Sequence, residues 1–186
     1  MLEFNLPTVL TFLRIALIPL LMVVFYLPWQ YANIASTAIF LLAGLTDWLD
    51  GYLARKWDQE TDFGAFLDPV ADKLMVAIVL VLIVQTEANI YIAIASAVII
   101  GREITIASLR EWMAEIGQRK KVKVSQLGKW KTTAQMTAIS LLLYREDLLG
   151  LPISSIGYVL LYISAVLTLW SMINYLKLAW QTVAEN

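Results

Sequence analysis

Four aspartates carry the clearest chemical signal in this chain. Asp47, Asp50, Asp68 and Asp72 lie in the stretch DWLDGYLARKWDQETDFGAFLDPVADK, residues 47–73. Asp47 and Asp50 are three apart, and Asp68 and Asp72 are four apart, so on helices each pair shares a face. Each pair is then a two-pronged oxygen clamp, and two clamps on facing helices make a nest of four carboxylates. Left unpaired, four such charges would repel one another. Divalent cations remove that repulsion, and two ions fit four carboxylates. Two ions about 3.5–4 Å apart are a common arrangement for phosphoryl-type displacements.

The four are interleaved with Trp48, Leu49, Phe66 and Leu67. A solvated helix end therefore explains them poorly, though it does explain Asp58, Glu60 and Asp62 between the pairs. Gly51, Ala54 and Gly64 continue the aspartate faces with small residues. They leave room for a bulky ligand such as a nucleotide to approach the backbone. Equally, they permit close helix packing.

The elements that must position these groups are membrane helices. Of the 186 residues 60% are hydrophobic, against about 45–50% in a soluble domain. Segments long and apolar enough for a bilayer, about 20 residues each, are expected over residues 7–27, 31–54, 63–85, 89–114, 127–144 and 153–180. The fold class expected is an all-α integral membrane protein with six transmembrane helices, as a single domain over residues 1–186. The start of the chain lacks a basic n-region and an A-x-A-like cleavage site, and reads as a retained first span.

Charge sets the orientation. With six alternating spans, Arg14, Arg55, Lys56, Lys73, Arg102, Arg110, Arg119, Lys120, Lys121, Lys123, Lys129, Lys131 and Lys177 fall on one side, and Arg145 on the other. The positive-inside rule puts the first side, both termini and the aspartates at the cytoplasmic face. Trp29, Trp48, Trp57, Trp112, Trp130, Trp170 and Trp180 lie mostly near span ends, as an interfacial belt would.

Composition also excludes. With no Cys and no His, disulfides, Cys or His zinc sites and His-assisted nucleophiles are ruled out. Any metal would take oxygen ligands, which suits Mg²⁺, Mn²⁺ or Ca²⁺. A net charge of −1 gives no argument for nucleic acid.

The eight positions Asp47, Asp50, Gly51, Ala54, Arg55, Gly64, Asp68 and Asp72 read D-x2-D-G-x2-A-R-x8-G-x3-D-x3-D. This pattern resembles the motif of the CDP-alcohol phosphatidyltransferases at every position. The resemblance implies six membrane helices, a homodimer, and displacement of CMP from a CDP-lipid by an alcohol. The stretches NLPTVLTFLR, GREITIASLREWM, VSQLGKWKTTAQM and LTLWSMINYL resemble bacterial members that join CDP-diacylglycerol to sn-glycerol 3-phosphate in the cell (inner) membrane. The products there are phosphatidylglycerophosphate and CMP.

Under that resemblance Asp47, Asp50, Asp68 and Asp72 hold two divalent cations, Mg²⁺ or Mn²⁺. Asp72 is also the general base, and Gly51, Ala54, Arg55 and Gly64 border the CDP moiety. Asn5, Thr8, Thr11 and Arg14 are suggested to reach the nucleotide or pyrophosphate; helix capping and snorkelling to headgroups explain them as well. A phosphorylated acceptor needs cations, and Arg102, Arg110, Lys129 and Lys131 are the candidates. Arg102, about two turns inside its span, is poorly explained by lipid anchoring. Glu103 and Glu111 are possible structural partners for these arginines.

Two other classes are weaker. A divalent-cation transporter needs a polar route across the bilayer, whereas LMVAIVLVLIV and IYIAIASAVII in the far halves are apolar. A purely structural subunit gives no reason for clustered carboxylates. Within the family, a cardiolipin synthase is the nearest alternative.

Overall fold

The computed structural model describes residues 6–57, 62–117, 126–148 and 150–184; within these, the side chains of 6–8, 54, 55, 62, 65, 126–130 and 182–184 are not described. Asn5, Arg119, Lys120, Lys121 and Lys123 lie outside the described residues, as do the side chains of Thr8, Ala54, Arg55 and Lys129.

The described residues form six α-helices: α1 (Leu6–Tyr26), α2 (Ala32–Trp57), α3 (Asp62–Glu87), α4 (Ile90–Glu115), α5 (Gln126–Tyr144) and α6 (Ile153–Ala184). Between α5 and α6, Leu148 and Leu151 make an isolated antiparallel bridge. Each helix matches an expected segment, and the all-α class follows from the long apolar runs. By length and composition, Val9–Tyr26, Ala32–Leu53, Ile90–Glu115 and Ile153–Gln181 are able to cross a membrane. The described tryptophans 29, 48, 57, 112, 170 and 180 are all exposed.

Contacts divide the chain into two compact units. One comprises Met1–Ile83 with Ser140–Ser154, the other Val84–Ile139 with Ser155–Asn186. In the first, α1 packs on α2. The buried stripe of α1 is Thr11, Arg14, Ile18 and Leu21, and that of α2 is Ala32, Ser36, Phe40, Ala43 and Asp50. Both follow the three- and four-residue steps of a single helix face. The α1 stripe is polar at its start and apolar beyond, whereas the α2 stripe carries Ser36 near its start and Asp50 near its end. Arg14 on α1 meets Asp50 on α2. On α3 the stripe of Ala71, Met75, Val79 and Leu82 begins between Asp68 and Asp72. Pro69 lies inside α3 and withdraws one backbone N–H from the helix between those two aspartates.

In the second unit the turn before α4 is fixed by Asn89, whose side-chain oxygen accepts from the Tyr91 N–H at 2.9 Å. This is an N-cap interaction. The hydroxyl of Tyr158 on α6 donates to Glu87 at the end of α3. Ile92, Ala95, Ile99, Ile106 and Met113 form the apolar part of the buried α4 face, which Ser96 and Arg102 interrupt. Ile106 and Met113 pack with Tyr175 and Ala179 of α6. At the far end of α4, Gly117 adopts φ 75°, a left-handed conformation that glycine reaches without strain and that ends the helix.

Candidate functional site

The sequence spacing brings Asp47 and Asp50 onto one face of α2, and Asp68 and Asp72 onto one face of α3. A residue on α1 gathers three of them. The Arg14 guanidinium places Nη1 2.9 Å from Asp47 Oδ1 and 3.0 Å from Asp72 Oδ1. Its Nη2 donates to Asp50 Oδ2 at 2.5 Å. The fourth aspartate is reached one turn earlier on the same helix face, where Thr11 Oγ1 donates to Asp68 Oδ1 at 2.6 Å. Two side chains of α1 thus touch all four carboxylates.

The arrangement has a closed end and an open end. The side chains of Arg14 and Asp50 are 1% and 2% exposed, whereas those of Asp47 and Asp72 are 42% and 48% exposed. Buried charge is tolerated only when paired and hydrogen-bonded. Arg14 and Asp50 satisfy that requirement for each other, while Asp47 and Asp72 are half open to a ligand. Gly64 is buried and Gly51 half-buried. Thr11 and Arg14 are each 1% exposed, and both reach carboxylates.

Does this nest suit a metal? Among the described residues, no group of three or more Asp or Glu is close enough together to hold an ion; three of the carboxylates are gathered around a guanidinium instead. The donor chemistry still fits a hard divalent cation, since every ligand atom on offer is a carboxylate oxygen. Among the described side chains, one guanidinium meets three of the four carboxylates, so acidic groups outnumber the cation that holds them.

A second cluster lies in the other unit. Glu103 Oε1 on α4 accepts from Lys131 Nζ of α5 at 2.6 Å and from Arg102 Nη1 at 3.0 Å. Arg102 Nη2 also donates to Ser171 Oγ of α6 at 3.1 Å. Lys131 is 2% exposed and Arg102 8%. Arg102 and Arg110 both lie against the Tyr175 ring, at 5.9 and 5.7 Å from its centroid, within cation–π range. Arg110 is itself exposed. Three of the four candidate acceptor cations are therefore described, and all three fall in this cluster. Two buried cations share one carboxylate oxygen, so the cluster keeps an excess of positive charge. Such a cluster can bind an anion, with arginine able to grip a phosphate through two parallel hydrogen bonds.

Three participants were not given these partners from the sequence. Arg14 was paired there with nucleotide or lipid, not with the aspartates. Ser171 and Tyr175 lie within the stretch LTLWSMINYL, which carried the resemblance without either residue being given a role.

The family model described as CDP-alcohol phosphatidyltransferase matches residues 4–170. The chain is 54% identical over 184 residues, 99% of its length and 98% of the relative's, to the CDP-diacylglycerol–glycerol-3-phosphate 3-phosphatidyltransferase of Haemophilus influenzae. Proteins of the same name from Salmonella choleraesuis and Pectobacterium atrosepticum are each 52% identical. They cover 95% of this chain and 96% of the relative, and 98% of this chain and 99% of the relative, respectively.

Proposed function

The chain belongs to the CDP-alcohol phosphatidyltransferase family, and on that premise we propose that it transfers the phosphatidyl group of CDP-diacylglycerol to sn-glycerol 3-phosphate. The products are phosphatidylglycerophosphate and CMP. The observation that carries this reading is the full-length similarity to relatives named for that reaction. It is joined by a nest in which all four motif aspartates contact one face of α1.

Asp47, Asp50, Asp68 and Asp72 would hold two divalent cations, Mg²⁺ or Mn²⁺. When bound, such ions supply neutralisation of the pyrophosphate and of the charge developing on the departing CMP. Asp72 takes the proton of the acceptor's 1-hydroxyl, and a carboxylate is the natural base in a chain without histidine. The hydroxyl oxygen forms a bond to the lipid-bearing phosphorus as the bond from that phosphorus to CMP breaks. Its half-exposed position leaves Asp72 open to an acceptor. Gly51, Ala54, Arg55 and Gly64 border the nucleotide, and Asn5, Thr8, Thr11 and Arg14 line the α1 side. Arg102, Arg110, Lys129 and Lys131 serve the acceptor phosphate. The excess positive charge around Glu103 supports that assignment.

All six helices span the bacterial inner membrane in this reading, as one domain with both termini and the chemistry at the cytoplasmic face. The protein works as a homodimer. CDP and glycerol 3-phosphate are then met from the cytosol, and the acyl chains never leave the inner leaflet.

The test is CMP release by the purified chain in detergent, given CDP-diacylglycerol and Mg²⁺, with and without glycerol 3-phosphate. Release should require glycerol 3-phosphate, and should be lost with chelator or in Asp68→Asn. Release only with phosphatidylglycerol would move the chain to cardiolipin synthesis. No release with any alcohol, from folded protein, would reject the reading.

A further inference from the structure

We propose that Arg14 is a built-in counter-cation of the aspartate nest, competing with divalent ions for the same carboxylate oxygens and keeping their binding weak enough to reverse. The inference rests on the reading that the nest holds such ions.

Three observations carry it. First, both terminal nitrogens of the guanidinium are committed to carboxylates, at 2.9 and 3.0 Å from Nη1 and 2.5 Å from Nη2. The oxygens engaged, Asp47 Oδ1, Asp50 Oδ2 and Asp72 Oδ1, are atoms a metal would also need. Each contact to Arg14 is thus one ligand atom withheld. Second, Arg14 is 1% exposed, and its Nε makes no hydrogen bond within the described structure. The group is held there by the carboxylates and not by a richer hydrogen-bond network. A guanidinium cannot shed its proton, so its charge is permanent. Third, the neighbouring contact from the same helix face is neutral: Thr11 reaches Asp68 through a hydroxyl. Of these two α1 residues, Arg14 is the one that brings charge to the nest.

One permanent positive charge inside the nest lowers the attraction for any incoming cation. A unit charge a few ångströms from a divalent ion, at the effective dielectric of such sites, is worth at least about tenfold in affinity. Removing it should therefore tighten ion binding, even though it removes contacts that hold the carboxylates. Loss of a mere structural clamp would weaken ion binding instead.

The experiment uses the full chain in detergent and reads Mn²⁺ binding by electron paramagnetic resonance, independent of turnover. Wild type is compared with Arg14→Met, Arg14→Gln and Arg14→Lys. The neutral variants should bind Mn²⁺ about tenfold or more tighter, and Arg14→Lys should stay within about threefold of wild type because it keeps the charge. In chelator the neutral variants should melt earlier than wild type, and Mn²⁺ should close that gap. Equal or weaker Mn²⁺ binding by the folded neutral variants overturns the proposal. So does failure of both neutral variants to fold with Mn²⁺ present, because ions should then replace the missing charge. Absence of Mn²⁺ binding by wild type overturns the metal reading itself, and this inference with it.

Discussion

Glu103 is the hinge of the second cluster, and its removal should cost more than the removal of either cation it holds. Its Oε1 accepts from Lys131 at 2.6 Å and from Arg102 at 3.0 Å, with the Lys131 side chain 3% exposed and that of Glu103 24%. In Lys131→Met, Glu103 loses one charge-assisted hydrogen bond but keeps Arg102 and some solvent. The expected loss is about 1.5–3 kcal/mol, the range for a hydrogen bond to a charged group. In Glu103→Gln, two buried cations lose their shared counter-charge. The expected loss then approaches the ~3–5 kcal/mol seen on breaking a buried pair. The double variant leaves only Arg102 to be accommodated, with Ser171 still available to it. Its cost should fall below the sum of the two singles by about 1–2 kcal/mol, a coupling typical of contacting charges. Unfolding in mixed micelles, followed by tryptophan fluorescence, gives all four corners of the cycle. Additivity within about 0.5 kcal/mol, or a milder effect of Glu103→Gln than of Lys131→Met, would refute the placement of Glu103 as the shared acceptor.

Two shorter predictions probe other contacts. Thr11→Val keeps the shape of a buried side chain but removes the 2.6 Å bond to Asp68; it should cost about 1–3 kcal/mol in the same unfolding assay, with Thr11→Ser restoring most of it. Tyr158→Phe removes the hydroxyl bonded to Glu87 at the start of the α3–α4 turn and should lower stability by about 1 kcal/mol. Its CMP release should match wild type, because neither residue belongs to the aspartate nest or the cation cluster.

The helices were legible because apolar runs of bilayer length admit few alternatives. The aspartate pairs were legible because steps of three and four residues fix a shared helix face whatever the tertiary structure does. Arg14 was not, for a physical reason. It meets Asp50 across 36 residues and Asp72 across 58, and no local periodicity encodes a meeting between helices. A clue was nonetheless present: a charged residue at the three-residue step from Thr11, on the stripe that also carries Ile18 and Leu21, has to find a counter-charge if that stripe is buried. Glu103 was within reach of the sequence through its adjacency to Arg102. Ser171 reaches Arg102 across 69 residues, and although its stretch LTLWSMINYL carried the resemblance, nothing local encodes that meeting.

The two clusters share one construction with opposite signs. In the first unit a single buried cation is divided among three carboxylates, and in the second a single carboxylate is divided between two buried cations. Full neutralisation would have stabilised each cluster and left it little charge with which to draw a ligand. No neutralisation would have left several charges of one sign among apolar helices, which is strongly unfavourable. Partial neutralisation leaves a residual charge held at fixed positions, negative in the first cluster and positive in the second. Those signs match the ligands proposed for each: divalent cations for the first cluster, and an acceptor phosphate for the second. Arg14 and Glu103 are then related devices. Each keeps its cluster foldable before a ligand arrives, and each competes with the ligand it leaves room for.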